Sequence, residues 1–112
     1  MQMIEAIVRP AKIDAVKNAL AKLGILGMTA IEVKGYGRQL GHTERYRGAR
    51  LEVGFVPKVA LRICVGSAQV QAAVAAIVEV ANTGNVGDGK IFIYPIEQVV
   101  RIRTGETNEQ AI

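Results

Sequence analysis

Histidine and cysteine are almost missing from this sequence: His42 and Cys64 are the only residues of their kinds. One cysteine cannot close an internal disulfide, so a reducing compartment is expected and the location is read as cytoplasmic. One histidine excludes a multi-histidine metal site. His42 lies in a polar stretch and is read as a surface residue, and Cys64, mid-strand among aliphatics, as inert core. Tryptophan is absent and aromatic residues make up only 4 %, so the core must be built from Ile, Val, Leu and Ala. No apolar run approaches the ~20 residues that span a bilayer. Met1 to Glu5 lacks the basic-then-apolar pattern of a signal peptide. No direct membrane insertion is expected. The carboxylates Glu32, Glu44, Glu52, Asp88 and Glu97 show no paired spacing for acid–base work, so an enzyme is not expected.

What is present suits one small domain over residues 1–112, since domains cluster near ~100–150 residues. Half of the residues are hydrophobic, enough for a core without staples. The net charge of +4 is ordinary for a mixed surface and is read as solubility, with no nucleic-acid partner.

Ile4 to Val8 reads as a strand ended by Pro10. Asp14 to Leu23 reads as a helix, with Ile13, Val16, Leu20 and Leu23 on one face and Gly24 as a left-handed cap. Met28 to Lys34 alternates as a strand, and Val59 to Val65 is another. Ser67 is placed as N-cap of a second helix whose buried stripe is Val70, Ala73, Val74, Ile77, Val78 and Ala81. Lys90 to Tyr94 is a strand, and Val99 to Arg103 a short further one. Residues 105–112 form a polar tail expected to be mobile. The order β-α-β, long loop, β-α-β predicts the α+β, ferredoxin-like double β-α-β class. Two helices cover one face of a four-stranded sheet. The other face, with Met3, Ile7, Leu61 or their neighbours, is too apolar to stay wet, so self-association is expected.

Three stretches are candidate sites. The first is the segment from Tyr36 to Phe55, about twenty residues without a sustained period, which is long for a compact domain. Glycines 35, 37 and 41 let backbone N–H groups approach a ligand, and Arg38, Arg45, Arg47 and Arg50 face one acid, Glu44. It reads either as a functional loop or as a hairpin with solvated arginines. The second is Thr83 to Lys90. Gly84 to Lys90 has the GxxxxGK spacing of a Walker A loop, but residue 91 is Ile and a helix precedes while a strand follows, the reverse of that motif. Its close glycines and Lys90 still suit an anion. The bland alternative is a tight turn. The third is Arg101-Ile102-Arg103, where a strand would place both arginines on one face, suited to polyphosphate or simply solvated.

Together these stretches resemble the PII nitrogen-regulatory signalling family. Thr83 to Ile93 is similar to its C-terminal signature, Glu32 to Glu44 and Tyr46 to Ala49 to its flexible effector loop, and Arg101 to Glu106 to its last strand. The resemblance implies a homotrimer whose open sheet faces are buried centrally, with ATP and ADP competing for clefts between subunits. By position it implies that Thr29 and the backbone at Cys64 hold the adenine. Gly87, Asp88, Gly89 and Lys90 would cradle the phosphates with Gly37, Arg38, Gln39, Arg101 and Arg103. Mg2+, ligated by Gln39, and ATP would then admit 2-oxoglutarate. Lys58 would pair with its distal carboxylate, helped by Arg9, Gly41 and Gly87. The loop, residues 36–55, would regulate a partner: an ammonium channel at the inner membrane face, a nitrogen-metabolism enzyme or a regulator.

Three positions depart from the family. Leu51 stands where its modified tyrosine is found, so no modification site is expected there. Ala49 stands where some members carry a phosphorylated serine. Arg62 stands where an acid near Lys90 is common, which bears on ATP/ADP discrimination. The alternative is a PII-like paralogue that binds adenine nucleotide but regulates a different transporter or enzyme, with an altered 2-oxoglutarate response.

Overall fold

The computed structural model describes residues 1–36 and 54–112, with backbone alone at 45–46 and 49–50. Strand β1 (Gln2–Val8) buries alternate residues Ile4, Ala6 and Val8, the period-2 signature of a sheet with one covered face. After the 3-10 turn Pro10–Lys12, helix α1 (Ile13–Ala21) buries Val16 and Leu20. Gly24, at φ +82°, ends it: the Gly24 amide donates to the Ala21 carbonyl and the Ile25 amide to the Leu20 carbonyl. This is the paired bonding of a left-handed glycine cap. Strand β2 spans Thr29–Gly35 and β5 spans Val56–Val65. Between them, β3 (Arg45–Tyr46) pairs antiparallel with β4 (Ala49–Arg50), so the expected irregular stretch contains a short hairpin. Helix α2 (Val70–Ala81) buries Ala73, Ile77 and Ala81 at four-residue spacing. Strand β6 (Lys90–Pro95) closes the sheet, whose order is β2-β5-β1-β6.

The α+β, ferredoxin-like expectation therefore holds. One face of the sheet carries Ile4, Leu61, Ile63 and Val65 against Leu20 and Ile77 of the helices. Full burial of each such side chain contributes about 1.5–3 kcal/mol. The register fixes the other face: Ile31, Ala60, Ile7 and Lys90 lie in one row, and Thr29, Arg62, Glu5 and Phe92 in the next. Here the structure decides a point the sequence left open. Leu61 is fully buried under the helices, and its neighbours Ala60 and Arg62 occupy the open face, because Leu61 shares the phase of Ile63 and Val65.

Two expectations are corrected. Ser67 is not the cap of α2. A 3-10 turn (Ser67–Gln69) precedes that helix, and the Ser67 hydroxyl accepts from the N-terminal ammonium at 3.2 Å. Val99 to Arg103 is not a strand. It makes one isolated bridge, Val100 to Thr107, because the backbone closes on itself. The Asn108 amide donates to the Val99 carbonyl at 2.8 Å, and the Arg101 amide to the Glu106 carbonyl at 2.9 Å. Residues 105–112 are thus tied back to the chain, ending in the 3-10 turn Asn108–Ala111.

Candidate functional site

The turn between α2 and β6 is built around one carboxylate. Asp88 accepts from the Thr83 amide at 2.7 Å, the Thr83 hydroxyl at 2.5 Å and the Gly84 amide at 3.0 Å. The Arg9 guanidinium adds an ion pair at 3.2 Å. These donors, the Thr83 hydroxyl and amide foremost, hold the Asp88 carboxyl far below the usual carboxylate range. The side chain of Asp88 is thus spent inside the turn, and what it can offer an anion is its backbone N–H. Gly87 and Gly89 adopt φ of +105° and +109°, a region L side chains rarely enter. At Gly89 an added Cβ would lie 1.7 Å from the Ile7 carbonyl oxygen, so only glycine lets the turn lie against β1.

Two cations converge on the same turn. Arg9 also donates to the Val86 carbonyl at 3.0 Å. Lys58 lies on the open face, only 6 % exposed, and its ammonium donates to the Gly87 carbonyl. Its pKa is lowered by desolvation and secondarily by Arg9, against an opposing pull from Asp88. A buried cation of this kind is poised for an anionic partner, because a low-polarity setting strengthens each ionic contact. Lys58, Tyr36, Gly87, Asp88, Lys90 and Phe92 line a common cavity of about 550 Å³. The structure thus brings together Arg9, Lys58 and Gly87 to Lys90 as neighbours of one site.

Thr29 and Cys64 lie elsewhere. They line a second cavity of about 610 Å³ with Met3, Met28, Arg62 and Ile112. Burial pushes the Cys64 thiol up, away from reactivity. Thr29 is on edge strand β2, whereas Lys90 is on the opposite edge, β6. Three strand spacings and two residues of register separate them, roughly 16 Å. Arg62 sits between the edges, 3.6 Å from the Glu5 carboxylate. That carboxylate also accepts from the Tyr94 hydroxyl at 2.8 Å, which pushes the phenol pKa up.

The arginine pair is split. Arg101 donates to Glu106 at 2.9 Å, whereas Arg103 stands exposed in the turn that replaces the expected strand. Gly37, Arg38, Gln39, Gly41 and Leu51 lie outside the described residues, as do the side chains of Arg45, Ala49 and Arg50. Among the described residues no cluster of three His, Cys, Asp or Glu could hold a metal. Thr83 begins the second candidate stretch, but its bonds to Asp88 are not foreseen from the sequence, nor is the role of Glu5. The Thr83-to-Asp88 spacing was available as a signal for the first, whereas Glu5 meets Arg62 and Tyr94 only through strand register.

Comparison with known proteins is consistent along the whole chain. A family model described as nitrogen regulatory protein P-II matches residues 1–106. Nitrogen regulatory protein P-II of Pasteurella multocida is 56 % identical over 112 residues, covering all of both chains. The protein of the same name from Azospirillum brasilense is 54 % identical, again with full coverage. A crystal structure of Arabidopsis thaliana PII bound to citrate aligns with a TM-score of 0.80 at 41 % identity, covering 98 % of this chain and 87 % of that one.

Proposed function

Because this chain belongs to the P-II family of nitrogen regulatory proteins, and so to a family of signal-transduction regulators, we propose that it senses ATP and ADP, and 2-oxoglutarate together with MgATP. It passes their state to a partner through residues 36–55. The observation that carries this reading is the convergence of Arg9 and buried Lys58 on one glycine turn, with Lys58 and that turn lining one cavity.

The parts suit those ligands. Backbone N–H groups at Gly87, Gly89 and Lys90, with the Lys90 ammonium, fit phosphate oxygens. Lys58 and Arg9 fit a small dicarboxylate, and citrate, the ligand of the Arabidopsis relative, is itself a polycarboxylate. Gln39 would hold magnesium alongside the phosphates, and the ion would neutralise their charge. Arg38, Gly37 and Gly41 belong to the same proposed site. Thr29 and the Cys64 backbone would hold adenine. Their separation from Lys90 across the sheet favours a nucleotide cleft shared between chains, in which β2 of one subunit meets the glycine turn of the next. A homotrimer would supply that meeting and would cover the open face carrying Met3, Ile7 and Phe92. The partner would be an ammonium channel, a nitrogen-metabolism enzyme or a regulator. Among the described residues no helix is long and apolar enough to cross a membrane.

Titration calorimetry with ATP, with ADP, and with 2-oxoglutarate in saturating MgATP tests the reading. Binding of both nucleotides is expected, with 2-oxoglutarate binding only when MgATP is present. Lys90→Ala should weaken ATP by about 1.5–3 kcal/mol, the scale of a hydrogen bond to a charge. Lys58→Ala should spare ATP and weaken 2-oxoglutarate by a similar amount. Failure of the wild type to bind any nucleotide at millimolar concentration would sink the proposal. A second reading, a paralogue with an altered 2-oxoglutarate response, is favoured by one observation: Arg9 and Lys58 are both engaged by acceptors of the glycine turn. ATP binding with no 2-oxoglutarate response would select it.

A further inference from the structure

The two ends of the 36–55 segment meet before the segment begins. Tyr36 follows β2 and Phe55 precedes β5, and their rings face each other at 5.7 Å between centroids and 54° between planes. This is the tilted geometry that aromatic quadrupoles favour. Both rings are otherwise exposed, at 61 % and 64 %, so core packing does not explain the contact. Gly54 lies directly beneath: a Cβ there would stand 3.0 Å from both Cδ1 and Cε1 of Tyr36. On the other side, Gly35 lies against the Lys58 stem, where an added Cβ would be 3.2 Å from Cγ. Tyr36 is also one wall of the Lys58 cavity, and Phe55 is not.

We propose that Tyr36, Gly54 and Phe55 form an aromatic clasp across the base of the segment, with Phe55 as the positioning residue for the Tyr36 ring. The clasp rests on geometry alone. Its coupling to ligand rests on the sensing function proposed above. A ligand filling the cavity presses on Tyr36 and on the Lys58 stem packed against Gly35. The same ring holds the Phe55 end of the segment. Glycine at both ends allows this close approach, since a Cβ at Gly54 would press on the Tyr36 ring and one at Gly35 on the Lys58 stem.

Tryptic cleavage within residues 37–53, which contain Arg38, Arg45, Arg47 and Arg50, tests the clasp on the full-length protein. Without ligand, Phe55→Ala should raise the cleavage rate about fivefold, on the scale of one lost aromatic contact. Gly54→Ala should act in the same direction, and Phe55→Tyr should restore the wild-type rate. The melting temperature should not change, since the rings are largely exposed; an unchanged melt separates a lost clasp from a lost fold. Equal cleavage of Phe55→Ala and wild type would overturn the clasp. With MgATP and 2-oxoglutarate as probes, the wild-type rate should shift and the shift should disappear in Phe55→Ala. The same shift in both proteins would overturn the coupling. A wild type that binds neither probe in calorimetry overturns the sensing function and the coupling together, while the ligand-free rates still decide the clasp.

Discussion

The turns at 83–90 and 101–106 contain similar ingredients and use them in opposite ways. Each sets basic residues beside one acid and carries glycine. In the first, Asp88 faces inward and is satisfied by backbone amides, a hydroxyl and Arg9, all of them fixed by the fold. Its neighbours' N–H groups and Lys90 are left at the cavity. In the second, Glu106 accepts from Arg101 and from Thr104, both at 2.9 Å, so the acid neutralises the very arginine expected to meet phosphate. The placement of the acid decides which role follows. An acid that accepts from backbone amides shapes the turn itself, whereas an acid that pairs with a side chain occupies that side chain.

The largest expected effect breaks the first turn. Gly89→Ala would drive a Cβ into the Ile7 carbonyl at a backbone angle alanine disfavours. It should cost at least about 3 kcal/mol in urea unfolding. Gly84→Ala, with φ +85° but open space around it, should cost only about 1 kcal/mol. Equal costs would mean that the approach to β1 is not what demands glycine.

The next prediction is a pH dependence. A carboxylate whose pKa is depressed on folding stabilises the native state above its unfolded value, near 3.8. That contribution is lost as pH falls from there through the folded value, because the unfolded chain binds the proton first. Thermal stability of the wild type should therefore decline below about pH 4. Asp88→Asn should be less stable at pH 7 and show a shallower acid slope. Parallel slopes in the two proteins would remove Asp88 from its place as organiser.

The smallest effect concerns the second turn. The Arg101–Glu106 pair is largely exposed, with side chains 37 % and 43 % accessible. Glu106→Gln should change stability by no more than about 1 kcal/mol. If Arg101 is held in reserve for phosphate, the same variant should bind ATP at least as tightly as wild type. Weaker ATP binding would mean that Glu106 positions Arg101 rather than competing for it.

Much of this protein was legible in its residues. The apolar, β-branched run Ile4 to Val8, the aliphatic stripe of α2, of which Ala73, Ile77 and Ala81 are buried and Val78 is exposed, and Gly24 after α1 are local signals. Local signals survive folding when the core agrees with them. The expected strand at 99–103 failed because its hydrogen-bonding groups found Glu106 and Asn108 within the same short stretch. A β pattern names no partner strand, and propensity cannot choose between a distant edge and a near turn. The sequence left open whether Leu61 or its neighbours face away from the helices, for a related reason. In a strand rich in aliphatics on both sides, alternation carries no sign, and only the position of the helices supplies one.

The residues of the 83–90 turn, by themselves, determined a tight connection between helix and strand whose close glycines and Lys90 suit an anion, because covalent geometry over so short a stretch is local. Only the tertiary structure decided what surrounds it. Arg9 is 79 residues from Asp88, Lys58 is 29 from Gly87, and Glu5 is 89 from Tyr94. Each pair meets because strand register places it, and the register follows from burying one aliphatic face under two helices. Short-range chemistry is written along the chain, whereas charges that act together from distant positions are paired by the cost of leaving the core exposed.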